Sequence, residues 1–420
     1  MQNSDKLHFK KSELTNGHFL YTQKSNQLAT FVRIVIPIGN AHAHIGNKYC
    51  NDGYFHFLEH MCFERSNKYL DKSEYNNLLA KTGSRQNAWT DAFYTEFSFE
   101  APAQTFHIAF SAFLDHLISP AFISEDIELE KGIIINERTQ RKFFPGTDKL
   151  SQYILTKWMD CNYYSREQIF GDDQTLEAIT PELLQLNHQY YFSNPISIFI
   201  AGTFDLTTVT NELSKIPKIL AFKALETKIN YPSWTNKKWH EYISTDIDTY
   251  TIYFGGIFNN YNVNDVWGID FILQLLTHEE FGTLQNWIRK DNGWSYGLEP
   301  DIEYEKDRMI WSIKIPLNSY SVVKEIRTKI HKRIQTTIVD SDLIALTRER
   351  LLLQTSFDYE TISSRLDRAV FAINTAGYVQ TQTDYKTWLA KVDKNYIATL
   401  YTKYFTPEHM GEFLAVPKTV

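Results

Sequence analysis

Five segments of this chain recur in the same order at a nearly constant spacing, and that repetition restricts the fold to two copies of one unit. Thr30-Phe-Val-Arg-Ile-Val-Ile36 answers Thr249-Tyr-Thr-Ile-Tyr-Phe254, each an apolar strand leading through a loop into a helix. Tyr94–Pro102 and Arg308–Pro316 alternate polar and apolar residues, as half-buried strands do, and stop at proline. Amphipathic helices are predicted after them, over Gln104–Leu117 and Ser319–Thr336. Ser124–Glu137 answers Ser341–Gln354, each opening with Ser and an acid as a helix N-cap. Ile179–Phe192 and Val392–Phe405 end in Tyr-Tyr-Phe and Lys-Tyr-Phe and precede short strands at Ile196–Ala201 and Glu412–Val416. The offset between copies stays between 213 and 219 residues, the mark of an internal duplication.

Short strands mixed with long amphipathic helices predict an α+β fold of two homologous domains, each a mixed sheet with helices packed on one side. The chain's 420 residues suit two such domains. Their expected limits are 1–222 and 240–420, with a linker at 223–239 where Lys, Thr, Asn and Pro accumulate. A hydrophobic fraction of 43% and an aromatic fraction of 15% exclude a disordered chain. The net charge of −7 argues against nucleic acid as a partner and mildly favours neutral or basic peptides. No apolar run is long enough to span a membrane. The polar start, Met1 to Lys11, does not read as a signal peptide, so a cytoplasmic location is expected. Three cysteines, Cys50, Cys62 and Cys161, have no paired spacing and suit a reducing compartment.

The chemistry concentrates in His56-Phe57-Leu58-Glu59-His60. At about 100° per residue, His60 and Glu59 lie roughly 40° and 60° to either side of His56, so the three share one helical face. Two histidines four apart can close on one Zn²⁺ and leave Glu59 free as a base; the order His-x-x-Glu-His is the inverzincin pattern. Two surface histidines and an unrelated acid are the competing reading. The flanking Phe55, Phe57, Leu58, Met61 and Phe63 weigh against it, because they bury the helix around a polar face that then needs a reason. Cys62 lies roughly 160° around the helix from His60 and is expected in the core.

A third ligand is required. Glu64 shares the stripe, but it is about 12 Å along the helix from His56, out of reach for metal bonds of roughly 2 Å. Glu137 is better placed, on a separate helix behind Ile133-Ile134-Ile135, a run expected to bury that helix; a solvated helix acid is the alternative. Glu130, two turns earlier, suits a carboxylate that orients a histidine ligand. The second copy has Gln354 where the first has Glu137 and Thr347 where it has Glu130, and its helix at Asp265–Thr277 has no histidine pair. Only the first copy can hold the metal.

These residues resemble the pitrilysin/insulysin-type inverzincin metallopeptidases, and among them the shorter bacterial members related to the mitochondrial processing peptidase. The motif is followed after 76 residues by Glu137 in Glu130-Lys-Gly-Ile-Ile-Ile-Asn-Glu137. Gly83-Ser-Arg-Gln-Asn-Ala-Trp-Thr90 is similar to the family's Asn-Ala-x-Thr strand, and Gly282–Tyr296 to its second-domain segment. The resemblance covers essentially the whole chain. It departs at Glu64-Arg65-Ser66, where the family usually has Gly-Thr, and in the loop Gly39–Gly46, where His42 and His44 read as loop histidines rather than an extra metal site.

The resemblance implies two domains arranged as half a clamshell, with Zn²⁺ held by His56, His60 and Glu137, Glu130 behind a histidine, and Glu59 as general base. It also implies that Asn87 and Ala88 pair with an extended peptide, and that Arg289 and Tyr296 contact the substrate, Tyr296 as oxyanion donor. The function implied is a zinc endopeptidase acting on peptides or unfolded segments, such as a leader peptide to be processed. A homodimer, or a heterodimer with a related subunit, is the expected assembly. A non-catalytic scaffold subunit of the same fold is the alternative, against which the intact zinc set and Arg/Tyr pair both count.

Overall fold

The computed structural model describes residues 9–44, 51–142, 169–219, 240–244, 247–259, 261–305, 308–337 and 340–418. The expected linker at 223–239, with Cys50 and Cys161, lies outside them. The chain folds as two compact units; the first takes in the first half and also Tyr359–Phe371, and the second takes in the other described residues of the second half.

Unit 1 is built on a mixed sheet in the order β1-β2-β6-β3-β5-β4. Its strands are β1 (Lys10–Glu13), β2 (Phe19–Lys24), β3 (Ala29–Ile36), β4 (Arg85–Thr90), β5 (Thr95–Pro102) and β6 (Ser197–Gly202). Helices α1 (Tyr54–Met61), α2 (Lys72–Thr82), α3 (Phe106–Ile118), α4 (Ser124–Lys142) and α5 (Pro181–Tyr190) accompany it. Val32, Ile34, Phe97 and Phe99 alternate onto the helical face and are fully buried, with Phe99 stacked on Phe113 at 4.9 Å. Arg33 points the other way and joins Glu96 at 3.1 Å and Asp367, from Tyr359–Phe371, at 3.3 Å. Both faces of this sheet are therefore engaged, not one alone as expected.

Unit 2 repeats the plan. Strands β7 (His240–Ser244), β8 (Tyr250–Asn259), β9 (Glu299–Glu305), β10 (Arg308–Leu317) and β11 (Gly411–Pro417) form a sheet in the order β7-β11-β8-β10-β9. Strand for strand this is β2-β6-β3-β5-β4, down to the single parallel pair at the same place, β2 with β6 and β7 with β11. Helices α6 (Val263–Thr277), α7 (Tyr320–Thr337), α8 (Ser341–Asp358) and α9 (Lys394–Tyr404) take the predicted positions. Trp311 is fully buried, stacks on Phe405 at 4.2 Å, and donates its indole N–H to the Tyr404 carbonyl. Among the described residues, no helix is long and apolar enough to cross a membrane.

Two local expectations need correction. The helix after β5 starts at Phe106 rather than Gln104, because Thr105 N–H closes a turn onto the Pro102 carbonyl. In the run Ile133-Ile134-Ile135 only Ile134 is buried; Ile133 and Ile135 are 51% and 36% exposed, since neighbours on a helix point about 100° apart.

Two buried histidines make the fold acid-sensitive. His188 is buried against the Leu117 carbonyl, and burial pulls its pKa down to about 4 in spite of that hydrogen bond. His42, beside Gly39, is likewise pulled down to about 4. The unfolded chain binds these protons near 6.5, so between pH 6.5 and 4 it holds more protons than the folded chain. Their contribution to stability is complete above about pH 6.5 and is lost as pH falls toward 4. Denaturant midpoints should drop over that window, and His188→Gln should flatten the dependence by about one proton. An unaltered slope in that variant would assign the acid sensitivity elsewhere.

Candidate metal centre

The predicted motif forms helix α1, in which His56, Phe57, Leu58, Glu59 and Met61 are all buried. Gly53 starts it with φ at +82°, and a Cβ there would come within 2.6 Å of the Gly171 backbone. Only glycine permits that approach, which seats the neighbouring Phe170 ring edge-on to His56 at 5.0 Å. The Gly53 N–H donates to Asn40 Oδ1, tying the start of α1 to the preceding loop.

The two imidazoles and one carboxylate converge. His56 Nε2 and His60 Nε2 lie 3.8 and 3.7 Å from the same oxygen, Glu137 Oε2. Ligand atoms of these three residues all fall within 4.8 Å of one another. Metal bonds of roughly 2 Å in a tetrahedron place ligands about 3.3 Å apart, so a small inward movement closes the set on an ion. His60 Nδ1 is 2.6 Å from Glu130 Oε1, which fixes the ring with Nε2 toward the cluster. Burial pulls the His60 pKa down, but Glu130, Glu59 and Glu137 outweigh it and raise it. A site that so favours positive charge, with two nitrogen donors and one oxygen donor, fits Zn²⁺.

Glu59 stands beside this set without being part of it. Its Oε2 accepts a 2.6 Å hydrogen bond from Thr90 Oγ1, at the end of β4. Burial pushes its pKa up, against the opposing effects of Thr90 and His60. Asn87 and Ala88 lie on the same strand, which is the last in its sheet, with Asn87 exposed. Glu64 pairs with Lys72, and Cys62 is buried in the core, where the helical geometry anticipated it.

Arg289 and Tyr296 belong to unit 2. Arg289 sits in the π-helical turn Asn286–Asp291, with its guanidinium 4.5 Å over the Tyr296 ring and 3.1 Å from Glu279. Tyr296 is 84% exposed. The two residues thus pack on each other within their own unit. At the offset of 217 that relates Glu137 to Gln354, the positions of His56, Glu59 and His60 fall on Leu273, Leu276 and Thr277, all buried. Gln354 there accepts from Arg350, and Thr347 is fully buried.

Thr90 and Phe170 are the contacts that sequence reasoning did not assign. Thr90 lies in the Asn-Ala-x-Thr segment, so its position was marked though its partner was not. No sequence signal links Phe170 to His56 across more than a hundred residues.

Comparison with known proteins gives two consecutive family matches along the chain. Residues 19–166 match the family described as Insulinase (Peptidase family M16), and residues 179–349 the one described as Peptidase M16 inactive domain. The probable zinc protease PqqL of Haemophilus influenzae is 24% identical over 213 residues, covering 48% of this chain and 22% of that protein. A protease from Helicobacter pylori superposes with a TM-score of 0.80 at 12% identity, covering 97% of this chain and 99% of the other. Pitrilysin superposes with a TM-score of 0.74 at 17% identity, covering 99% of this chain and 45% of the other. These structural likenesses are likenesses of fold. The chain spans well under half the length of the first curated relatives it matches.

Proposed function

Because the chain belongs to the insulinase family of peptidases, family M16, we propose that it is a zinc-dependent endopeptidase acting on peptides or unfolded polypeptide segments. The observation that carries this reading is the convergence of His56, His60 and Glu137, with Glu59 held beside them by Thr90.

A Zn²⁺ ion held by those three residues would supply Lewis acidity, making water acidic enough to ionise near pH 7 and polarising a peptide carbonyl. Glu59 takes the proton of the attacking water and returns it to the leaving amine. Its buried, raised pKa suits a base that must also act as an acid near neutrality. Thr90 holds the carboxylate in place through Oε2. Glu130 keeps His60 in one ring orientation.

An extended peptide pairs with β4, the outermost described strand of its sheet, beside Asn87 and Ala88, and main-chain hydrogen bonds align it with Glu59 at the strand's end. Arg289 and Tyr296 serve as further substrate contacts in this reading, on the strength of the resemblance and of their mutual packing. A second copy or a related subunit completes the enclosure in this reading.

Mass spectrometry of the products from a diverse peptide pool, run with zinc analysis, tests the proposal. Internal cleavages that vanish on chelation are expected. A zinc-loaded chain that leaves every peptide intact would overturn it in favour of a non-catalytic subunit.

A further inference from the structure

The departure Glu64-Arg65-Ser66 directly after the metal helix has a structural counterpart on α4. Asp126, Glu130 and Glu137 lie within about 40° of one another around that helix, a single acidic face. They meet partners in reverse order along the α1 segment. Glu137 faces His56 and His60, Glu130 faces His60, and Asp126 meets Arg65 Nε at 2.6 Å. Asp126 also binds Lys72 Nζ at 2.9 Å, and its side chain is only 3% exposed.

The backbone is laced at the same place. Ala121 N–H donates to the Arg65 carbonyl at 2.9 Å, Asn67 N–H donates to the Ser119 carbonyl at 2.9 Å, and Ser66 bridges to Pro120. Lys72 pairs in turn with Glu64. The exit of the metal helix and the entry of the Glu137 helix are therefore joined by charge and by main chain. A slip of one residue between α1 and α4 would move Glu137 by about 1.5 Å and turn it by about 100°.

We propose that Asp126 is a positioning residue for the metal centre, fixing the register of α4 on α1 through Arg65 and Lys72. This rests on the metal reading above and adds to it a determinant that touches neither the ion nor the substrate. The buried carboxylate holds two cations from the α1 exit and from α2, and α4 can satisfy it at one longitudinal position only.

The test is zinc affinity, measured with zinc alone in competition with a chelator, together with the melting temperature of the zinc-free protein. Asp126→Asn should raise the zinc Kd by about 10- to 100-fold, the range for lost ligand-orienting contacts. Arg65→Gln should do likewise, and the double variant should be no worse than the larger single, because both break one network. Asp115→Asn, which breaks the Lys68–Asp115 pair on the same segment but leaves Asp126 with both its cations, should leave the Kd unchanged. A lower melting temperature with a Kd within twofold of the parent would overturn the proposal, as would an equal Kd shift in the Asp115 control. If Asp126→Asn does not fold, the Kd values of Arg65→Gln and Lys72→Gln decide by the same criteria. A parent chain that binds no zinc would instead sink the metal reading itself.

Discussion

Glu59→Gln is expected to bind zinc as the parent does and to hydrolyse peptides about 10²- to 10⁴-fold more slowly, the range lost when a general acid–base is removed. The substitution is nearly isosteric, and its amide oxygen can still accept from Thr90 Oγ1, so the strand and helix should stay in place. What disappears is the ability to take a proton from water and return it to the leaving amine. A quenched peptide reports the rate, and elemental analysis reports the metal. Loss of zinc in this variant would place Glu59 among the ligands; an undiminished rate would remove it from the chemistry.

Glu137→Gln should weaken zinc binding more than Glu130→Gln. Glu137 Oε2 faces both imidazole nitrogens, whereas Glu130 reaches only the far side of the His60 ring. Removing the orienting carboxylate should cost roughly 10- to 100-fold in affinity, and removing a direct ligand should exceed that. Both variants should keep the parent's far-ultraviolet circular dichroism, because the unit 1 core of Val32, Ile34, Phe97 and Phe99 is built of apolar side chains, none of them a metal ligand. Chelator competition on the two variants gives the ordering. The reverse ordering would make Glu130 the ligand.

The fold and the metal set were legible in the sequence for a shared reason. Both are written in short-range periodicity, the fold in two copies and the metal set in the first alone. The 3.6-residue period brought His56, Glu59 and His60 to one face, and the offset of 217 separated Glu137 and Glu130 from Gln354 and Thr347. Contacts between elements far apart in the chain were not legible. Thr90 meets Glu59, Phe170 meets His56 and Asp126 meets Arg65 because of how sheet and helices are stacked, and no local pattern encodes that. The isoleucine run misled because hydrophobicity alone does not say which face of a helix is covered. Tyr359–Phe371 groups with unit 1 although it lies deep in the second half, since compactness follows contacts rather than chain order.

The duplicated sheet is an internal control experiment on the price of chemistry. Unit 2 keeps the strand order and the helix that follows β8, yet fills the positions of the two histidines and the base with Leu273, Thr277 and Leu276. The architecture thus closes with aliphatic side chains where unit 1 buries Glu59 and His56. Desolvated ionisable groups are commonly replaced by well-packed apolar ones at no loss of stability. The acidic, imidazole-rich interior of unit 1 is then a standing strain on that half of the molecule, and one that its twin shows the scaffold does not require.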